Sequence, residues 1–570
     1  MAKQAKGQRV DRRNFIRLGS ASVVGTTALF AGCIGSDDDD DDTSNGGGDN
    51  DDTSNGEMAT NGELTIGIDA DPRGLNPHGP MDFASGYIAR HYADTLYDFT
   101  PDGEPFPRLA AEMPETPDDQ TYIVKIREGV TWHEPYDAEI TADDIVENFH
   151  RILDIDYGAE SRADYEGTLV GDDINPEDTV QKTGDYEVTF NLASPDSVFV
   201  HHLTGARSSM LPMEAVDEYG STEFGATNVG TWGSGPFRFV DAQDDNYYTF
   251  ERNPNYFLED DGGQQLPYLD TVTFEVIPEA SVRNTNIQTG DIDVDERVSG
   301  TDIEGLQEDD SIVVQSEPGT EMVAMPLNIR NFEPFTKKEV RQALMHAINR
   351  DAIVDTNFRG HAEPAWSSMP PWLWAHDDDA VQTYPHDPDR ARSLLEEAGE
   401  TGLEFTLNPA NVDMVLDTAT IIQSNLEEVG ISMDIEPRDS GALFDELLML
   451  WDEDPVGPDE DFHAGLMTLT FGYDPDFNSR ITHGTGSWGN FFYYSNEVAD
   501  EAAENARQVV DQDERAEYYS QFLEQVTEDV PLCYVVWMNI TPAHRDNVNN
   551  YTVWNDGRVD VARTGIESDN

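Results

Sequence analysis

The sequence predicts α/β lobes with mixed sheets, and three observations carry that reading. At 570 residues the chain far exceeds the commonest domain length of roughly 100 to 150, so it should divide into more than one lobe. Strand-like alternation of apolar and polar residues recurs at Glu63 to Ile68, Thr121 to Ile126, Asp185 to Leu192, Thr271 to Ile277 and Ser311 to Gln315. Helical stretches interleave with these strands without strict alternation, which argues against a purely parallel sheet.

Each helix has a local reason. In "TADDIVENFHRIL" Thr141 stands as N-cap with Asp144 three residues later, and Ile145, Phe149, Ile152 and Leu153 share one face. "KKEVRQALMHAINRDAI" sets Val340, Ala343, Leu344, Ala347 and Ile348 on one stripe, so one helix is expected through it. "DPDRARSLLEEAG" opens with Pro388 in the first turn and stops at Gly399. Further helices are expected from about Asp417 to Val429, ended by Gly430, and from about Glu497 to Val526 with a break near Asp511.

The first tenth of the chain serves another purpose. Lys3, Lys6, Arg9, Arg12, Arg13 and Arg17 precede an apolar and small-residue run from Leu18 to Phe30, too short for the roughly 18 residues a spanning helix needs. "DRRNFIR" resembles the twin-arginine export signature, with Arg12 and Arg13 followed by Phe15 and Ile16. "FAGC" resembles a lipoprotein cleavage box, in which Cys33 becomes the lipid-bearing N-terminus. Residues 1–32 then form the signal peptide. Residues 33–61, rich in Asp, Gly, Ser and Thr, form a solvated tether that includes the run Asp37 to Asp42. That run lacks the spaced ligands, Gly and distal Glu of an EF-hand loop.

Charge narrows the partners. The formal net charge is -80, yet hydrophobic residues make up 38%, so this is a folded, very acidic protein and not a disordered polyelectrolyte. The acids spread along the whole chain, the pattern of a surface adapted to a salty medium, where self-repulsion is screened within roughly 3 Å at 1 M salt. Phosphate binding needs basic stripes, and none is present, so nucleic acid is not an expected partner. The two cysteines, Cys33 and Cys533, are too few for a disulfide framework; Cys533 lies in "VPLCYVVWMN" and reads as a small core residue of a buried strand.

Eight stretches, in order, resemble the extracytoplasmic solute-binding proteins of the peptide, nickel and oligosaccharide class that serve ATP-binding-cassette importers. They are "GLNPH"; "LYDFTPDGEPFPRLAAEMPETPDDQTYIVKIREGVTWHE" with "ITADDIVENF"; "GSGPFRF"; "ERNPNYF"; "PYLDTVTFEVIPEASVRNTNIQTGDIDV"; "PLNIRNFEPFTKKEVRQALMHAINRDAIV"; "DPDRARSLLEEAG"; and "YDPDF". The resemblance implies a two-lobed periplasmic-binding-protein-like fold with a hinge of crossing strands and an extra N-terminal subdomain. It places lobe one in 62–97, 227–325 and 531–570, the subdomain in 98–226 and lobe two in 326–530, with the crossings near Ala324 to Asn328 and Val530 to Val536. It implies lobe closure over a solute, without chemistry on it, and delivery to a permease and its ATPase subunits. The protein is then a monomer, lipid-anchored on the outer face of the membrane and without a cofactor. Peptide is the expected solute, with an oligosaccharide or other neutral solute as the alternative; a sensory receptor and an extracellular hydrolase are the readings of another class.

Peptide-binding members of the class place an aspartate three positions before their "DP-D" motif to meet the ligand's ammonium. Here the motif is Asp474, Pro475, Asp476, and that position holds Phe471; Asp474 is the substitute candidate, although Asp before Pro also forms turns. Lobe two is rich in aromatic residues able to stack on a solute: Trp366, Trp372, Trp374, Phe471, Tyr473 and Trp488, of which Trp366 and Tyr473 sit in loops. "TWGSGPF" brings Trp232 and Gly233 to the hinge side of the expected pocket, and Asn328 and Arg330 offer polar groups past a crossing strand. "GTGSWG" matches G-x-G-x-x-G by letter but lacks the flanking strand and helix of a nucleotide site. No hydrolase motif is present, and His201 and His202, adjacent in what reads as a strand, point apart, a weak basis for a metal site.

Overall fold

The computed structural model describes residues 61–567 apart from 101–102, 155–158, 160–161, 163–164, 166–167, 170–174, 441, 444–446, 448–461, 488 and 491. Arg12, Arg13, Cys33, all but the last residue of the tether, and Trp488 lie outside the described residues.

Two large sheets organise the chain. The first has seven strands in the order Ile312–Val314, Ala543–Arg545, Val294–Asp295, Glu63–Ile68, Thr271–Val276, Tyr247–Arg252 and Phe237–Gln243. Glu63–Ile68 pairs in parallel with both neighbours, Ile66 lying opposite Val294 on one side and Phe274 on the other, while the remaining pairs are antiparallel. The sheet is therefore mixed, as the irregular interleaving of strands and helices predicts. Leu64, Ile66, Val272, Phe274 and Phe250 carry its core.

The second sheet has six strands in the order Ala362–Pro364, Leu532–Ile540, Glu317–Pro326, Ala464–Thr470, Glu404–Pro409 and Ser432–Ile435. Helices cover it, and their ends obey side-chain chemistry. Asp387 accepts from the Arg390 N–H to open the helix Pro388–Ala398, and Gly399 closes it at φ 75°, a left-handed conformation that suits glycine. Asp511 accepts from Glu514 N–H and starts the helix Gln512–Asp529, so the break expected there separates it from Glu497–Gln508. The stripe from Val340 to Ile348 is interrupted: Lys338–Ala347 ends, and Asn349 caps a second helix, Arg350–Asn357, by accepting from Ala352 N–H. A local cap here outweighs apolar periodicity.

A third, smaller unit is built on the strands Thr121–Lys125, Glu187–Asn191 and Val180–Gly184, with the helix Ala142–Leu153 packed on them. Thr141 and Asp144 form the reciprocal capping box read from the sequence. Its buried cluster runs from Leu96 to Met210 and includes Phe149, Phe190 and Phe199. His201 and His202 lie in a short helix, Phe199–His202, and not in a strand.

The chain passes from the first sheet to the second at Gln315–Ser316 and returns at Thr541–Pro542. The two passages run side by side, the Gln315 N–H donating to the Pro542 carbonyl at 2.9 Å. Crossings at 324–328 and 530–536, and the divisions after 325 and 530, are thus displaced: Glu317–Pro326 and Leu532–Ile540 both belong to the second sheet. Those segments are apolar because they are adjacent inner strands, buried by helices, and burial alone does not mark a crossing. Cys533, within the second of them, is fully buried, and burial pushes its thiol up to about 12, as befits an inert core residue.

Candidate functional site between the lobes

Among the contacts between described residues that join the lobes, three bear on the site. At the first, Phe99, Tyr473 and Trp554 are buried together, with Trp372 packed against them. Phe99 ends the strand Tyr97–Phe99 beside the small unit, whereas Tyr473 follows the strand Ala464–Thr470 and Trp372 comes from a loop of the second lobe. Trp554 is held by a tight turn in which its N–H donates to the Arg558 carbonyl at 2.8 Å and Gly557 adopts φ 84°. The Phe99 ring lies 5.3 Å from Tyr473 and 5.8 Å from Trp554, and Tyr473 lies 5.4 Å from Trp372. Such separations are those of favourable aromatic pairs.

Arg558 lies over this cluster, its guanidinium carbon 3.3 Å from the Phe99 centroid and 4.9 Å from that of Trp554. Its Nε donates to Asp556, and its Nη1 stands 3.6 Å from Asp98, which also meets Arg90 at 3.4 Å and Arg108 at 3.3 Å. Burial, and then the charge of Arg558, push the Arg90 guanidinium down to about 9. Several buried polar atoms lack a hydrogen-bond partner: Trp372 Nε1, the Tyr473 hydroxyl, and both terminal nitrogens of Arg558. The Tyr473 hydroxyl lies near the Asp556 main chain without a well-formed bond to it.

At the second contact Arg515 Nη2 donates to both oxygens of Asp474 at 3.0 Å, and the Asp476 N–H donates to Asp474 at 2.8 Å. Burial pushes the Asp474 carboxyl up against the pull of Arg515; burial also pulls Arg515 down, but Asp474 and Tyr519 together outweigh it and hold Arg515 above its ordinary range. These shifts argue opposite ways about the pair. The two guanidinium contacts and the main-chain donor favour the ionised form. His201, from the small unit, places Nδ1 3.7 Å from Asp474, and burial, then Arg515, drive its ring well below the usual imidazole range.

The third contact is an ion pair. Arg507, at the end of helix Glu497–Gln508, donates through Nη2 to Asp196 at 2.8 Å and to the Thr168 hydroxyl at 2.7 Å, and its carbonyl accepts from the Ser197 N–H at 3.0 Å. Burial pushes the Asp196 carboxyl up, but His202 and Arg507 outweigh it and hold the group at about 2.

Against this geometry the candidates read from the sequence separate. Tyr473 stands in the aromatic cluster and Asp474 beside it, although Asp474 is already engaged by Arg515. Phe471 packs edge-on against Trp537 at 5.2 Å in the core of the second lobe, and Trp366 packs on that core with the Arg350 guanidinium 4.6 Å from its ring. Trp232 stacks on Tyr219 at 5.4 Å in the first lobe. Gly233 exchanges hydrogen bonds with His133, and a Cβ there would come within 2.2 Å of the Tyr92 carbonyl. Asn328 is buried, donating to the Phe462 carbonyl at 2.8 Å, while Arg330 is exposed. Phe99, Trp554, Arg558 and Arg90 were not singled out from sequence. Only the family-like stretch beginning "LYDF" covered Phe99, and nothing local marks the C-terminal turn as part of a cleft.

Two lobes joined by a pair of adjacent passages and closed over a buried plane of rings and arginines define a two-lobed binding protein of mixed α/β architecture. Residues 104–490 match the model of the bacterial extracellular solute-binding proteins, family 5, and the chain belongs to that family. The family is one of binding proteins and not of enzymes. The oligopeptide-binding protein AppA of Bacillus subtilis is 28% identical over 87% of this chain and 90% of its own. The dipeptide-binding protein of Escherichia coli is 26% identical over 88% and 94%. Among solved structures, AppA of Bacillus subtilis in complex with a nonapeptide matches with TM-score 0.73 at 26% identity, over 90% of this chain and 100% of that one. The substrate-binding protein CtaP of Listeria monocytogenes matches with TM-score 0.77 at 25% identity, over 90% and 100%.

Proposed function

We propose that the chain is the solute receptor of an ABC importer, which captures a peptide between its lobes and delivers it to a permease with its ATPase subunits. The observation that carries this reading is the plane of closure itself: a buried group of rings from both lobes, with polar atoms left unpartnered, in a family whose similar members include proteins named for oligopeptides and dipeptides. An oligosaccharide or other neutral solute remains the second reading, favoured by Phe471 lying in the core and by Asp474 being paired with Arg515. The test is a screen of the purified protein in molar salt against peptides, sugars and metal chelates, following melting temperature and solution compaction together. Peptide-dependent stabilisation with compaction supports the first reading; stabilisation by sugars alone replaces it with the second; no response to any solute removes both.

The working division is a first lobe from 62–97, 227–315 and 542–567, a small unit in 98–226 and a second lobe from 316–541. The protein acts as a monomer outside the membrane, exported through Arg12 and Arg13 in a form adapted to high salt, and tethered by a lipid on Cys33. Among the described residues no helix is long and apolar enough to cross a membrane. A Cys33→Ser variant is therefore expected in the culture medium, measured by immunoblot of cell and medium fractions; retention of the variant on the membrane would refute the lipid anchor.

A further inference from the structure

Around the cluster of Phe99, Tyr473 and Trp554, four buried polar atoms of the described residues lack a hydrogen-bond partner and are able to donate: Nη1 and Nη2 of Arg558, Nε1 of Trp372 and the hydroxyl of Tyr473. The carboxylates there are taken. Asp98 meets Arg90, Arg108 and Arg558; Asp556 accepts from Arg558; Asp94 accepts from Arg108 and Ser234; Asp474 accepts from Arg515 and the Asp476 N–H. An ammonium group carries only donors and would have to share carboxylates already engaged by arginines. A carboxylate carries only acceptors and would meet unfilled donors on two sides of the cleft, since Trp372 and Tyr473 belong to the second lobe and Arg558 to the first. The crowding of Arg90 by Arg558 points the same way, because an anion between the rings relieves it.

Taking this plane as the solute site, we infer that the cleft holds its solute by a carboxylate, with Arg558, Trp372 and Tyr473 donating to it and Phe99 and Trp554 packing on the flat or apolar group beside it. No protein carboxylate is reserved for an amino end. The solute class is a peptide or peptide-like acid with a free carboxyl terminus and an apolar or aromatic last residue, whose amino end can be blocked. A buried donor left without an acceptor is costly, which is why the selectivity falls on the carboxyl end.

The test uses the whole chain in molar salt and three peptide sets of equal composition: free at both ends, N-acetylated, and C-amidated. Acetylation is expected to leave affinity within about threefold, and amidation to weaken it by about 30-fold or more, as for loss of charge-assisted hydrogen bonds. Loss of binding on acetylation, or tolerance of amidation, overturns the inference while leaving the peptide reading intact. Tyr473→Phe, which keeps the ring packing, should weaken the free and acetylated sets about fivefold and leave the amidated set unchanged. Arg558→Gln should abolish the preference for the free carboxyl group, and if that variant does not fold, Tyr473→Phe decides. Should none of the peptide sets bind, the peptide reading falls, and a thermal-shift comparison of indole-3-acetate with indole-3-acetamide decides the inference alone. Stabilisation by the acid only supports it; equal shifts, or none, overturn it.

Discussion

Removing the Arg507 side chain should open the molecule. Arg507 is 11% exposed at its side chain and Asp196 is fully buried, and the pair ties helix Glu497–Gln508 of the second lobe to the small unit of the first. Truncating one member of a buried pair costs about 3–5 kcal/mol because the other charge is left uncompensated. Asp196 keeps the Thr168 hydroxyl at 2.6 Å and the Val198 N–H at 3.0 Å, so the lower end applies, about 3 kcal/mol. Opening the lobes rehydrates Asp196, so the cost falls on the closed form alone. The closed-to-open ratio, and with it the affinity for a closing solute, should fall by about 100-fold. Arg507→Met is to be compared with the parent by calorimetric titration and by small-angle scattering in molar salt, where exposed charges are screened but a buried pair is not. The Arg507→Met, Asp196→Asn double variant should recover part of the loss. Asp196 also sets a pH dependence: against burial, which raises it, His202 and then Arg507 hold its folded value down from 3.8 to about 2, so it contributes fully above the ordinary carboxylate range. That contribution disappears as pH falls through about 2, so acid should expand the closed protein. A variant that binds within about threefold of the parent and closes to the same scattering radius would refute the assignment of this pair as the clasp.

Two other perturbations test other parts of the fold. Gly233→Ala would place a Cβ 2.2 Å from the Tyr92 carbonyl and 2.8 Å from Ala93 Cα, so melting temperature should fall, with a cost of about 1–3 kcal/mol or more, while affinity below the transition stays unchanged; lost affinity in a stable variant would make the glycine a solute contact. Burial, then Asp69, push Glu296 from 4.5 to about 8, so its contribution is fully present below 4.5 and is lost as pH rises through about 8; Glu296→Gln should match the parent near pH 4 and exceed it in chemical-denaturation stability by about 1 kcal/mol near pH 9, and a parallel pair of pH curves would contradict the shift.

Local chemistry was legible where one residue acts on its own turn of chain. Thr141 with Asp144, Pro388, Gly399 and Asp511 each mark the start or the end of a helix on their own turn of chain, as the sequence reads. Asn349 shows the limit: its cap divides a helix that the apolar stripe runs straight through. The hinge was misplaced for a related reason, since Glu317–Pro326 and Leu532–Ile540 owe their apolar character to neighbours on both sides, which a linear pattern does not reveal. The site was least legible. Tyr473 meets Phe99 and Trp554 only through lobe closure, and each alone looks like any core aromatic. Asp474 did come to the junction, but its capture by Arg515, forty-one residues away, was invisible to motif reading.

The route of the chain through both sheets bears on how the protein is made. Ala543–Arg545 sits between Ile312–Val314 and Val294–Asp295 in one sheet, and Leu532–Ile540 sits between Ala362–Pro364 and Glu317–Pro326 in the other. A nascent chain still lacking these two segments has a gap inside each sheet, with the edges on either side unpaired. The first lobe is incomplete while residue 545 remains in the ribosome tunnel, and the second while residue 540 does. Completion of both halves therefore waits on the same late stretch of chain, and a factor that shields open strand edges would have until its emergence in which to act.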